Sequence, residues 1–261
     1  MKNYLREVFN TKDIILATRI NSTWPLITEI VGCTGIYDYV EFLAEYAPCN
    51  QYDLENICRA AELHNLGTVI KVDYSNRDYI AQKAIASGFQ GVLLTDHTTA
   101  EEVEKSIKMI RPASPKYGGK LGYVNRRWIG NQGFATQDEY ADFVSQVVVG
   151  VMIEKKEALK NIEEICSVEG LDFVQFGPAD FSMNSGLNSS IDVEAVKEAE
   201  RIVIKAALEH NISPRCEIRH AVDAEYYYNL GVRHFALGSE LRILKEFWKK
   251  EGAKLLDIIK K

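Results

Sequence analysis

Eight short strand-like runs, most of them apolar and separated by connecting sequence that is mostly helical in pattern, constrain this chain more than any other feature. They are Asp13–Ile20, Tyr39–Leu43, Thr68–Val72, Gly91–Thr95, Val149–Ile153, Phe173–Phe176, Pro214–Ile218 and His234–Leu237. A strand covered on both faces reads as a continuous apolar run, whereas a strand with one wet face alternates. Between the runs, Leu54, Ile57, Cys58 and Ala61 follow the i, i+3, i+4, i+7 spacing of an amphipathic helix, with Gly67 available just past its end. Thr99 and Glu102 have capping-box spacing ahead of Val103, Ile107 and Ile110. Ala158, Leu159, Ile162 and Ile165 repeat the pattern, as do Val193, Val196, Ala199, Ile202 and Val203. Eight alternations predict a closed eight-stranded parallel (β/α) barrel of the TIM type rather than an open sheet. No linker or low-complexity stretch interrupts them, so residues 1–261 read as a single domain.

Composition removes other classes. An apolar content of 46% suits a packed core, and a net charge of −6 speaks against nucleic acid or an anionic membrane as partner. The five cysteines are scattered, with no CxxC pair, which fits a reduced cytoplasmic protein without a thiolate metal site. The N-terminus lacks the apolar core of a signal peptide, and no run approaches the length of a membrane span.

Chemistry in such a barrel comes from residues that follow the strands. Val149–Ile153 runs into Glu154, and Phe173–Phe176 runs into Gly177-Pro178-Ala179-Asp180. The separation of 26 residues (180 − 154) suits one strand, one helix and one strand. Two carboxylates at adjacent strand ends are oxygen ligands for a hard divalent cation, Mg²⁺ or Mn²⁺. The histidines show no HxH or HExxH pairing, so a zinc hydrolase is poorly supported. Other strand ends offer Arg19; Glu41, Glu45 and Tyr46; Lys71 and Asp73; Thr95, Asp96 and His97; Glu217 and Arg219; and Ser239 and Glu240. Charge of both signs suits a small anionic substrate. A cation chelated by a 2-oxo acid stabilises the enolate formed when the bond to C3 breaks or forms. Backbone N–H groups of Ala179 and Asp180, exposed by the turn at Gly177, are candidates to hold the substrate carboxylate, and Lys71 or Arg19 to bond the enolate oxygen. A lysine at a strand end also suits a Schiff base without metal, but the Glu154/Asp180 pair favours the metal.

Two segments stand outside the alternation. Pro112-Ala113-Ser114-Pro115-Lys116-Tyr117-Gly118-Gly119-Lys120, continuing to Asn125-Arg126-Arg127-Trp128, is long for a connection inside a domain. It is either a lid whose Arg126, Arg127 and Trp128 close over an anion, or a surface loop held by salt bridges. The last segment, 241–261, carries Leu244, Phe247, Trp248 and Leu255. Packed on its own barrel, it would be the eighth helix.

Met152-Ile153-Glu154-Lys155-Lys156-Glu157-Ala158-Leu159, Val168-Glu169-Gly170-Leu171-Asp172 and Gly177-Pro178-Ala179-Asp180-Phe181-Ser182 together resemble the HpcH/HpaI family of metal-dependent 2-oxo-acid aldolases. The resemblance extends through Ala236-Leu237-Gly238-Ser239 and, more loosely, over most of the chain. It implies a barrel that exchanges its last helix between subunits, giving dimers assembled into hexamers. It also implies Mg²⁺ or Mn²⁺ on Glu154 and Asp180, with a pyruvate-like carboxylate on the Ala179 and Asp180 amides.

The chain departs from that family at informative positions. The family's Asp-Gly-Glu-His-Ala-Pro segment, whose Asp and His serve acid–base chemistry, reads Leu43-Ala44-Glu45-Tyr46-Ala47-Pro48. Glu45 and Tyr46 are the candidates to replace the base, and a phenol with pKa near ~10 needs strong perturbation to do so. The family's strand-three arginine is Lys71, which keeps the charge but loses the fork. Its glutamine two residues before the metal glutamate is Met152. The expectation is an aldolase-like lyase. Another metal-enolate enzyme (a decarboxylase or hydrolase), a Schiff-base aldolase using Lys71, and a non-catalytic metabolite-binding barrel remain as alternatives.

Overall fold

All eight strand-like runs form strands in the computed structural model, which describes residues 3–127, 134 and 136–260. They are β1 (Ile15–Ile20), β2 (Tyr39–Leu43), β3 (Gly67–Val72), β4 (Gly91–Leu94), β5 (Val148–Ile153), β6 (Phe173–Phe176), β7 (Ser213–Ile218) and β8 (His234–Ser239). Neighbours in sequence pair in parallel, and β8 closes on β1, giving a (β/α)8 TIM barrel. The helices before the barrel's midpoint are α1 (Tyr4–Thr11), α2 (Pro25–Cys33), α3 (Gln51–Glu62), α4 (Arg77–Ser87) and α5 (Ala100–Ile110). After them come α6 (Gln137–Val144), α7 (Lys156–Lys160), α8 (Ile162–Cys166), α9 (Pro178–Ser185), α10 (Val193–Glu209), α11 (Ala224–Asn229) and α12 (Glu240–Ile259). Among the described residues, no helix is long and apolar enough to cross a membrane.

Strand alternation divides the core in two. Val40, Phe42, Ile70, Val92, Val151 and Val174 face outward and pack with helix residues such as Leu54, Ile57, Ile85 and Ile107. Ala17, Tyr39, Val69, Leu93, Val148, Met152, Phe173 and Ala236 fill the lumen. The Phe173 ring occupies the space where Gly150 has no side chain, which is why a glycine interrupts that otherwise bulky run. Helix α1, absent from the sequence reading, inserts Leu5 into the lumen end nearest the strand starts, where Leu5 N–H donates to Gln90 Oε1 at 2.9 Å. Arg6 fixes it by a bidentate bond to Asp172, at 2.5 and 2.8 Å.

Several local expectations change. Gly67 does not end a helix but begins β3, and Asn65 takes the left-handed turn residue's place at φ +52. The helical pattern after β5 splits into α7 and α8 at Asn161, whose side chain donates to Thr98 O at 2.8 Å. Thr99 caps α5, and the Glu102 carboxylate accepts the Thr98 N–H at 2.7 Å. The 112–127 connection is not a lid over the strand ends. Arg126 bonds Glu55 at 2.5 Å, and Arg127 bonds Glu62 and the carbonyl of Ser87. Both arginines are thus tied to the barrel flank, Arg126 to the N-terminal half of α3 and Arg127 to the C-terminal ends of α3 and α4. Trp128 lies outside the described residues.

The C-terminal segment does not pack as an eighth helix. Glu240 is the one buried residue of α12, while Phe247 and Trp248 are 62% and 65% exposed. Where an eighth helix would lie, Ile14, Leu16, Ala224, Tyr228, Phe235 and Leu237 line an open apolar groove of about 500 Å³. One chain therefore carries both an uncovered apolar arm and an uncovered apolar groove.

Candidate active site

The register of β5 and β6 sets Ile153 beside Phe176, so Glu154 and Gly177 leave the sheet side by side. Glu154 is 2% exposed, and its Oε1 accepts the Asp96 N–H at 3.0 Å. Asp96 adopts φ +61, a left-handed conformation that Asp tolerates better than most residues, at the end of β4. A methyl at position 177 would meet Glu154 Cβ at 2.9 Å and Oε2 at 3.0 Å, so glycine keeps space open at that oxygen. Burial raises the Glu154 pKa above the usual carboxylate range. The Asp96 N–H and Lys71 work against the rise, while the Asp96 and Asp180 carboxylates add to it. A buried acid among further acids is a site that gains from a cation.

Asp180 is not at a strand end but in the first turn of α9, capped by Gly177. Gly177 N donates to Ile153 O and Phe181 N to Gly177 O, and Pro178 has no N–H. The helix start therefore leaves the N–H groups of Ala179 and Asp180 without a backbone acceptor, as helix geometry requires. Two parallel donors at a helix N-terminus suit a carboxylate.

Opposite them, Lys71 at the end of β3 is almost fully buried and bonds Glu45 Oε2 at 2.6 Å and Tyr46 Oη at 3.2 Å. Burial opposes its charge. Hydrogen bonding and attraction from Glu45, with smaller contributions from Tyr46 and Glu154, outweigh that and raise its pKa above the ordinary lysine value. Burial, with Glu45 adding, raises the Tyr46 phenol against the pull of Lys71, so it stays protonated. Lys155 pairs with Asp96 at 2.6 Å, and Arg19 with Glu217 at 2.6 Å. Glu154 is close enough to feel both Lys71 and Asp180, whereas Arg19 lies across the mouth on β1.

Other strand-end residues have structural work. Glu41 is not at the mouth but in the lumen, paired with the fully buried Arg215, which also donates to Gln175 Oε1 at 2.5 Å. The Arg215 guanidinium lies over the rings of Tyr39 and Phe173. Arg215 and Gln175 escaped the sequence reading. The signal was present, because Pro214–Ile218 alternates apolar residues with Arg215 and Glu217. His97 turns away to Ser106 Oγ at 2.9 Å, and burial lowers its pKa to about 3. Glu240 accepts the N–H groups of Asn21 and Ser22 and so holds the loop after β1. Asp73 closes a turn onto Asn76.

The donor set suits a hard divalent cation in part. It is all oxygen, one carboxylate is buried among others, and glycine leaves room beside it. Among the described residues, no group of three or more His, Cys, Asp or Glu is placed to hold a metal. A cation here would rest on a carboxylate pair, with water or substrate completing the shell, as Mg²⁺ commonly does.

Comparison with known proteins agrees with this architecture. A sequence model described as HpcH/HpaI aldolase/citrate lyase matches residues 20–244. The 5-keto-4-deoxy-D-glucarate aldolase of Klebsiella pneumoniae subsp. pneumoniae is 26% identical over 237 residues, 91% of this chain and 89% of that protein. The same-named aldolase of Escherichia coli O6:H1 is 25% identical with the same coverage. Among solved structures, the citrate synthase SbnG superposes with TM-score 0.85 at 21% identity, covering 100% of both chains. An HpcH/HpaI aldolase from Desulfitobacterium hafniense DCB-2 gives 0.84 at 19% identity, over 97% of this chain and 96% of that one. At such identities the structures speak for the fold alone.

Proposed function

The chain belongs to the HpcH/HpaI aldolase/citrate lyase family, and on that premise we propose that it is an aldolase-like carbon–carbon lyase. It would make or break the bond to C3 of a pyruvate-like 2-oxo acid through an enolate, with Mg²⁺ or Mn²⁺ held by Glu154 and Asp180. The observation that carries this is Glu154: a buried carboxylate with a raised pKa, beside two further carboxylates, a pair of helix N–H donors and a lysine held charged. When bound, the cation supplies a Lewis acid that lowers the cost of placing negative charge on the carbonyl oxygen.

The chain's own residues then have separable tasks. The Ala179 and Asp180 amides hold the substrate carboxylate, with Gly177 giving the turn its clearance. In the cleavage direction, Glu45 accepts the proton of the C4 hydroxyl as the C3–C4 bond breaks. The electron pair passes to the carbonyl oxygen, where the Lys71 ammonium bonds it. Glu45 then returns that proton to C3, which completes pyruvate and leaves the carbonyl fragment as the second product. Tyr46, kept protonated, bonds Glu45 and Lys71 and fixes their orientation. Arg19, paired with Glu217, supplies positive charge on the other side of the mouth. A Schiff base on Lys71 needs a lysine with lowered pKa, the opposite of its setting here.

The proposal includes assembly. The apolar arm α12 and the apolar groove on the same chain support exchange of the arm between subunits in a homo-oligomer, a dimer or a hexamer.

Deuterium exchange into the methyl group of pyruvate tests the chemistry. Exchange that requires Mn²⁺ and disappears in Glu154→Gln and Asp180→Asn supports it. Absence of exchange in Mn²⁺-loaded protein would leave a metabolite-binding barrel. A borohydride-reduced pyruvate adduct on Lys71 would replace it with Schiff-base catalysis. Cation-dependent exchange without any aldol turnover would favour a decarboxylase or hydrolase.

A further inference from the structure

Among the described residues, four other than glycine have left-handed backbone: Asn65, Asp96, Arg127 and Asn211. Asn65 and Asn211 come just after helices α3 and α10, where Asn often takes that conformation, and Arg127 lies in the 112–127 connection. Asp96 alone follows a strand, β4, at the mouth of the barrel. Its N–H is the one that Glu154 Oε1 accepts, at 3.0 Å.

The turn around Asp96 is held from every side. Before it, Thr95 Oγ1 donates to Val72 O of β3 at 2.9 Å, and Arg77 of α4 donates to Thr95 O at 2.9 Å. After it, the buried His97 meets Ser106 Oγ of α5 at 2.9 Å. Thr98 gives its N–H and hydroxyl to Glu102, at 2.7 and 3.0 Å, and its carbonyl accepts from Asn161 at 2.8 Å. The Asp96 carboxylate itself takes Lys155, the residue next to Glu154, at 2.6 Å. Thus β3, α4, α5 and the junction of α7 with α8 converge on four residues. A sparsely populated backbone conformation persists where its neighbours over-determine it, and such residues gather at working sites. With Thr95 and Thr98 anchored, the direction of the Asp96 N–H depends on the φ of +61 at that residue. Lys155 meanwhile occupies the Asp96 carboxylate, so the side chain is not offered as a further ligand.

The two oxygens of Glu154 are therefore unlike. Oε1 carries the Asp96 amide, whereas Oε2 faces the clearance at Gly177, where a Cβ would stand 3.0 Å away. We infer that Asp96 is a positioning residue for the cation site: its left-handed backbone aims an amide at Oε1 of Glu154 and so presents Oε2 alone to a divalent cation. This role rests on the proposed cation at Glu154, and it belongs to the backbone of Asp96 rather than to its charge.

Mn²⁺ binding to the full chain, followed by loss of the free-ion electron paramagnetic resonance signal, separates backbone from charge. Asp96→Asn and Asp96→Gly keep a residue that enters the left-handed region, and both should bind within about threefold of the wild-type chain. Asp96→Val puts a β-branched side chain where that conformation is a genuine outlier. It should weaken binding by about ten- to a hundredfold, the usual cost of losing a partner that orients a metal ligand. Equal loss in all three variants would assign the effect to the carboxylate and overturn the role, as would wild-type affinity in Asp96→Val. Should Asp96→Val fail to fold, infrared difference spectra of the wild-type chain with Mg²⁺ decide. The Glu154 bands, identified by their loss in Glu154→Gln, should show the wide separation of carboxylate stretches that marks ligation through one oxygen. The narrow separation of two-oxygen ligation overturns the role. A wild-type chain that binds no Mn²⁺ removes the proposed cation and this role together, whereas binding untouched by Asp96→Val removes the role alone.

Discussion

Replacing Glu154 with Gln should make the metal-free protein more stable while abolishing its response to divalent cations. In the folded chain this carboxylate is 2% exposed, and burial raises its pKa, with Asp96 and Asp180 adding to the rise. Its folded pKa lies above its unfolded one, so the ionised group costs the fold free energy above the folded value. That cost is relieved as pH falls from there toward the ordinary glutamate range. Gln is nearly isosteric and its carbonyl oxygen still accepts the Asp96 N–H, so the hydrogen bond survives while the buried charge goes. Lys71 and Lys155 keep Glu45 and Asp96 and are not stranded. The net gain should be on the order of 1 kcal/mol, or roughly 2–4 °C in Tm for a chain of this size. A cation at a hundred times its Kd stabilises the wild-type chain by about 2.7 kcal/mol, and the variant by nothing. Scanning calorimetry at several pH values, with and without Mn²⁺, reads both effects. Wild-type metal stabilisation should weaken as pH falls through the raised Glu154 pKa, because the protonated acid does not ligate. A variant less stable than wild type without metal, yet still stabilised by Mn²⁺, would refute the reasoning.

Other consequences are as definite. Lys71→Met should lower pyruvate turnover at least about a hundredfold through loss of charge at the enolate oxygen, and borohydride with pyruvate should leave no adduct on Lys71 in mass spectrometry. Arg215→Met strands Glu41 in the lumen and should destabilise by about 3–5 kcal/mol in denaturant melts, with much of the loss recovered in Glu41→Gln/Arg215→Met; a double variant no better than the single would contradict the pairing. Light scattering should find an oligomer that Phe247→Glu/Trp248→Glu disrupts, since large apolar side chains contribute about 1.5–3 kcal/mol each on burial. A stable wild-type monomer at micromolar concentration would exclude the exchanged arm.

The eight strands and the order of their pairing were legible because burial on both faces leaves a local trace, an unbroken apolar run. That trace is plain in most strands and is interrupted by Glu41 in β2, Lys71 in β3 and Arg215 and Glu217 in β7, and the ends read from it differ by at most two residues from those of the folded chain. Glu154 was legible for the same reason, as the first polar residue after such a run. Asp180 was placed one step off: the run gave away the strand, while the helix turn that carries the acid depends on how Gly177 and Pro178 cap α9.

What the chain determines by itself is periodicity and therefore architecture: strand, helix, closure, and the residues that follow each strand. Only the tertiary structure decided which charges meet. Glu41 pairs with Arg215 because closure sets β2 and β7 across one lumen, 174 positions apart in the chain (215 − 41). Arg126 and Arg127 bind α3 and its flank rather than a ligand because the carboxylates that receive them lie on a distant turn of chain. The same holds for α12, whose apolar spacing predicts a packed helix but not on which barrel. Hydrophobic pattern is local and legible, whereas the Coulomb and packing partners of a side chain are set by three-dimensional proximity that no spacing in the sequence records.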